Sequence, residues 1–201
     1  MMGSLSDPTI RCFLAVPVGE QVREALSRWL RSVRSRLPNA RWVDPQNYHL
    51  TIKFYGEQEQ AAVERLAQSL SASLSGLGAI EVEIAGLGAF PSLDRPRVLW
   101  AGVGEGAREL QRLAGIVEAA SVGLDIPADR RDFRPHLTLA RFRVEIRGRD
   151  LPPDVLAERE RSWGRFTADR VHLMRSRLTP NGAQYSILHT IYLAPPGEAT
   201  A

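Results

Sequence analysis

The chain carries one short phrase twice, His49-Leu50-Thr51-Ile52 and His136-Leu137-Thr138-Leu139, eighty-seven positions apart. In an extended strand, alternate side chains share a face. Each copy therefore turns its His and Thr one way and its aliphatic residues the other, so the aliphatics anchor a core while the polar pair faces outward. A lone His-x-Thr in a strand carries little weight, because Thr is a good strand former and a half-exposed His needs no special role. The second copy changes that. The likeness runs on through Tyr48 to Gly56 against Pro135 to Arg143, with apolar residues at the inward positions and a cation shortly after each Thr. Of only four histidines in the chain, two stand in this motif. Two imidazoles facing one another, each beside a hydroxyl, supply an acid and a base for moving protons at one substrate atom.

The rest of the chain frames these strands. Residues 11–18 read as a strand, and Val22, Leu26, Trp29, Leu30 and Val33 recur at helical spacing over 21–36. Two short strands follow, one near 41–43 and one from His49 to Gly56. A helix is predicted over 58–74, strands over 79–90 and 97–103 about a turn from Pro91 to Pro96, and a third helix over 107–121. The second motif strand spans 136–144, and a short helical stretch lies near 156–160. Two closing strands, 165–178 and 184–193, meet at Pro180-Asn181-Gly182, a hairpin signal. Helices alternating with strands and hairpins predict an α+β fold with mainly antiparallel sheet. The repeat predicts two similar lobes across a groove floored by the motif strands, within one domain over 1–201.

Composition narrows the chemistry. At 201 residues and 44% hydrophobic content the chain has ample material for a packed interior. No charged start with an apolar run precedes Arg11, and no stretch has the length and apolarity of a membrane helix, so a cytoplasmic protein without membrane contact is expected. Cys12 is the only cysteine, and its apolar neighbours point to a buried thiol rather than a nucleophile. Without His-Glu-x-x-His, paired cysteines or an acidic cluster, a metal hydrolase fits poorly, and no phosphate loop or dinucleotide glycine fingerprint is present. The net charge of +3 is modest but uneven: from Arg130 to Arg149 seven arginines stand against Asp132 and Glu145. Positive charge thus collects around the second motif, which suits a phosphate or polyanion.

These residues resemble the two-histidine phosphoesterases, and among them the RNA 2',3'-cyclic phosphodiesterases, also called 2'-5' RNA ligases. Besides the motifs, the likeness rests on Arg11-Cys12-Phe13-Leu14-Ala15, on Phe90-Pro91 followed by Pro96-Arg97-Val98-Leu99-Trp100, and on Ser176-Arg177-Leu178 ahead of Gly182-Ala183-Gln184-Tyr185. It covers about 11–193. The resemblance implies two pseudo-symmetric α+β lobes around a cleft holding both motifs. A monomer is expected, with no cofactor or metal. Its implied substrates are RNA ends or nucleoside 2',3'-cyclic phosphates. It also implies that His136 accepts a proton from water, that His49 donates one to the departing 3'-oxygen, and that a 2'-phosphate is the product.

Thr51 and Thr138 are then positioned to donate hydrogen bonds to the non-bridging phosphate oxygens. Lys53, the only lysine, and Arg141 complete the candidate substrate-binding set. Strand alternation puts Lys53 on the face of His49 and Thr51. Arg141 has the parity of Leu137 and Leu139, so it reaches the same phosphate only if a bulge or the strand's end turns it. His172 and His189 lack the flanks of the motif and read as structural. Two alternatives accompany the hydrolase: a non-catalytic RNA or nucleotide-binding module, and a 2'-5' oligonucleotide phosphodiesterase or the reverse ligation by the same residues. Intact His and Thr in both copies favour an enzyme, because binding alone needs cations and stacking surfaces rather than two titratable groups. The near symmetry of the motifs leaves the order of donor and acceptor open to the residues alone.

Overall fold

A computed structural model describes residues 9–180 and 182–194. The first half runs β1 (Ile10–Pro17), α1 (Glu20–Val33), β2 (Ala40–Trp42), the first motif strand β3 (His49–Gln58) and α2 (Gln60–Leu74). The second runs β4 (Ile80–Ser92), β5 (Arg95–Val103), α3 (Ala107–Val122), the second motif strand β6 (His136–Phe142) and the short α4 (Pro153–Ala157). Three strands close the chain: β7 (Ser162–Ala168), β8 (Arg170–Thr179) and β9 (Gly182–Tyr192). In α1 the helically spaced Val22, Leu26, Trp29, Leu30 and Val33 are all buried. The opposite side of that helix is charged, with Arg28 paired to Glu24 one turn earlier.

All nine strands belong to one sheet, in the order β7-β4-β5-β6-β3-β1-β8-β9, with β2 along the remaining length of β6. Every neighbouring pair is antiparallel. The midpoint is the junction of the two motif strands, which meet at Leu50 and Leu137. From there β6, β5, β4 and β7 on one side answer β3, β1, β8 and β9 on the other. The expected lobes are therefore the halves of a single sheet, with the motif strands as direct neighbours. Leu50 and Leu137 are fully buried in a core that runs without interruption across both halves and under the helices.

The expected single strand over 165–178 is two strands. Ala168 pairs with Ile80 in β4, whereas His172 pairs with Ala15 in β1. Strands near opposite ends of the sheet are thus joined through Asp169 alone, which requires the sheet to curl strongly. No Gly or Pro marks the break, and buried Ala168, Val171 and Leu173 line the core on both sides of it. Alternation reports which face a residue takes, not which strand it pairs with. In the expected hairpin, Asn181 lies outside the described residues. Thr179 and Gly182 pair on either side of it, and Gly182 has φ 133°, a backbone conformation that favours glycine. Among the described residues no helix is long and apolar enough to cross a membrane.

Candidate active site

Each motif histidine opens its strand and is oriented in the same way. His49 Nδ1 lies 2.7 Å from the Asn47 carbonyl oxygen, and His136 Nδ1 lies 2.7 Å from that of Arg134. A carbonyl only accepts, so both Nδ1 atoms carry the proton and both Nε2 atoms are left for chemistry. The pairing of Leu50 with Leu137 puts both His-x-Thr pairs on the opposite face from the core. Extending that antiparallel register by one residue sets His49 across from Thr138 and His136 across from Thr51. Each imidazole thus faces the hydroxyl of the other copy.

Aromatic rings enclose both histidines. Phe13 and Tyr185 lie with ring centroids 5.0 and 5.3 Å from that of His49. Phe90 and Trp100 stand 4.9 and 6.3 Å from His136. The Trp100 ring can lie flat because position 88 is glycine, where a methyl group would meet it at 2.2 Å. Burial by these rings lowers the His49 pKa, against the support of the Asn47 carbonyl for the charged form, and a charge on His136 lowers it further. Burial likewise lowers His136, opposed by the Arg134 carbonyl, and the Arg141 guanidinium adds to the lowering. At neutral pH the site therefore presents two neutral imidazoles. An anionic group between them favours protonation, and a charge on His136 disfavours one on His49.

The two candidate cations exchange places relative to simple alternation. In β3 the register against β1 slips between Leu14 and Ala15, so that Lys53 and Thr51 face consecutive residues. This bulge turns Lys53 to the core face beside Ile52, and the expectation that it shares the face of His49 fails. Lys53 is 3% exposed. Its Nζ donates to Glu118 Oε2 at 2.7 Å and to the Pro127 carbonyl at 3.2 Å, with Asp129 at 3.7 Å. Glu118 in turn accepts from the Asp129 backbone N–H. Lys53 therefore ties β3 to α3 and to the loop that leads into His136, and touches no part of the histidine face.

The second copy bulges at the matching place: against β5, Ala140 and Thr138 face Leu99 and Trp100, consecutive residues. Here the turn buries Ala140 and brings Arg141 onto the histidine face, where its charge acts on both His136 and Tyr185. The condition attached to Arg141 is thus met. His172 shares a hydrogen bond with Thr190, and His189 stands 3.3 Å from Glu64 on α2. Cys12 is fully buried, and burial pushes its thiol up to about 11, so it is not a nucleophile at neutral pH. Sequence reasoning did not assign Phe13, Phe90, Trp100 and Tyr185 to the site. Only strand pairing reveals that they share the face of the histidines.

Comparison with known proteins finds relatives along most of the chain. The family model described as LigT like Phosphoesterase matches the chain twice, over residues 16–100 and 102–185, once for each motif copy. An RNA 2',3'-cyclic phosphodiesterase of Aeropyrum pernix is 35% identical over 159 residues, 78% of this chain and 88% of that protein. One from Aquifex aeolicus is 31% identical over 186 residues, 92% of this chain and 97% of that protein. A crystal structure of a Thermus thermophilus protein aligns with a TM-score of 0.76 at 28% identity, covering 93% of this chain and 100% of the other. Apo LigT of Escherichia coli, 21% identical, shares the fold with a TM-score of 0.76 over 94% of this chain and 99% of its own.

Proposed function

The chain belongs to the LigT-like phosphoesterase family, and from that premise we propose that it hydrolyses 2',3'-cyclic phosphate ends of RNA to 2'-phosphomonoesters. The observation that carries this reading is the pair of Nε2 atoms left free on neighbouring strands by matching Nδ1 hydrogen bonds. Water attacks phosphorus and passes a proton to Nε2 of His136, while the bond from phosphorus to the 3'-oxygen breaks and that oxygen takes a proton from Nε2 of His49. The Arg141 guanidinium disfavours a proton on His136, which suits the acceptor role. Thr51 and Thr138 hold the non-bridging oxygens by hydrogen bonds that strengthen as charge builds in the transition state. Arg141 supplies positive charge at the edge of the site, and Lys53 takes no part in binding.

One chain carries both histidines and both threonines, so the working unit is the monomer, and neither lobe is competent without the other. No step calls for a metal ion. The test is an RNA ending in a 2',3'-cyclic phosphate, incubated with the protein in excess chelator and followed by phosphorus NMR. A 2'-phosphomonoester is expected. A 3'-phosphate product would overturn the assignment of the leaving oxygen, and loss of activity restored by a divalent ion would overturn the two-histidine mechanism.

A further inference from the structure

Arg41 stands beside the histidine site. In the pairing of β2 with β6, Arg41 lies directly opposite Arg141, and Trp42 opposite Ala140. Trp42 packs toward Trp29 in the core, with ring centroids 6.0 Å apart. Alternation therefore puts Arg41 on the other face, with Arg141 and the histidines. Its guanidinium reaches the turn between β8 and β9: a methyl group on Gly182 would stand 2.9 Å from Nη2. Glycine leaves the room that this close approach needs.

Like charges directly opposite in a sheet are destabilising. Both arginines are exposed, and among the described residues neither forms an ion pair with a carboxylate. Two uncompensated guanidiniums side by side make a site for an anion, since planar forks grip phosphate oxygens in a bidentate manner. We propose that Arg41 and Arg141 form a second phosphate site, which holds the phosphodiester on the 5' side of the nucleotide bearing the cyclic phosphate. This rests on the function proposed above. Because of the bulge, Arg141 lies two pairing positions beyond Thr138, opposite Val98 where Thr138 is opposite Trp100, roughly 7 Å along the sheet. That separation suits a phosphate other than the one the threonines hold. A terminal nucleotide is joined to the rest of its RNA only through its 5'-oxygen, so the second phosphate in reach is that one.

Three substrates test the site: adenosine 2',3'-cyclic phosphate, the same compound with a 5'-phosphate, and a dinucleotide ending in the cyclic phosphate. The wild type is expected to show a lower KM for the two that carry a 5'-phosphate. Arg41→Gln should raise KM for those two by about tenfold, the loss of one charge-assisted contact, with a much smaller change for the first substrate and no fall in kcat. Arg41→Lys should recover part of the effect through its point charge. Equal KM values across the three substrates in the wild type overturn the proposal, as does an equal rise for all three in Arg41→Gln. If the wild type turns over none of them, the hydrolase reading fails on its own. Equilibrium binding of the three compounds then decides the second site: a preference for the 5'-phosphate that Arg41→Gln removes sustains it, and no preference overturns it.

Discussion

At the scale of single residues, the hydrogen bonds from His49 and His136 to the carbonyls two positions earlier select one tautomer and aim both Nε2 atoms at the same region. Replacing either histidine with Ala should cost about 10²- to 10⁴-fold in kcat, the usual contribution of a general acid or base. Loss alone does not order the roles. A substrate with sulfur in place of the 3'-oxygen departs as a stable thiolate and needs no proton from the enzyme. His49→Ala should regain most of its rate on it, while His136→Ala stays slow; the reverse pattern would exchange donor and acceptor. The pH profile carries a second test. Burial lowers both imidazoles, and a bound phosphate anion raises them again. The basic limb reports loss of the donor's proton, so it should lie at higher pH for kcat, which reads the complex, than for kcat/KM, which reads the free enzyme. Coincident limbs would mean that phosphate charge does not set these ionisations.

At the scale of elements, the two bulges decide which side chains the motif strands present. Each inserts one residue after the Thr, so the position after the bulge is Lys53 in one copy and Ala140 in the other, both turned to the core. Lys53→Met keeps the stem and removes the charge that Glu118 meets. Because the Glu118 side chain is 31% exposed, water takes part of the place of the lost partner, and the expected destabilisation is about 1–3 kcal/mol. Urea unfolding measures it. Activity of the folded variant should fall far less than in either histidine variant, whereas a large rise in KM would return Lys53 to the substrate. β4 offers the complementary test. Gly88→Ala sets a methyl group against the Trp100 ring, which forces that ring off the strand beside His136. Overpacking of this kind costs about 1–3 kcal/mol, and kcat should drop with it.

At the scale of the whole molecule, the curled sheet gathers residues from both ends of the chain around one site: Phe13 from β1, Trp100 from β5 and Tyr185 from β9. The seven arginines from Arg130 to Arg149 are all exposed, in keeping with an electrostatic approach for RNA rather than a structural role. Binding of an oligonucleotide should accordingly weaken with salt more steeply than binding of a mononucleotide, since more counterions are released. Equal slopes from titrations at several salt concentrations would deny the arginines that function.

By itself the sequence determined which residues face which way over short stretches, because alternation with period two is a local property of the extended chain. Through it the duplicated His-x-Thr, the core leucines between, the α+β class and most of the helices and strands were legible. Only the tertiary structure decided where alternation breaks and who pairs with whom. A bulge forms when two strands distant in sequence settle their mutual register, which is why Lys53 left the histidine face and Arg141 joined it. The junction at Asp169 is invisible for the same reason, since β7 and β8 keep one alternating pattern while pairing with strands at opposite ends of the sheet. Arg41 entered the picture by the same route, through its pairing with Arg141 across β2 and β6.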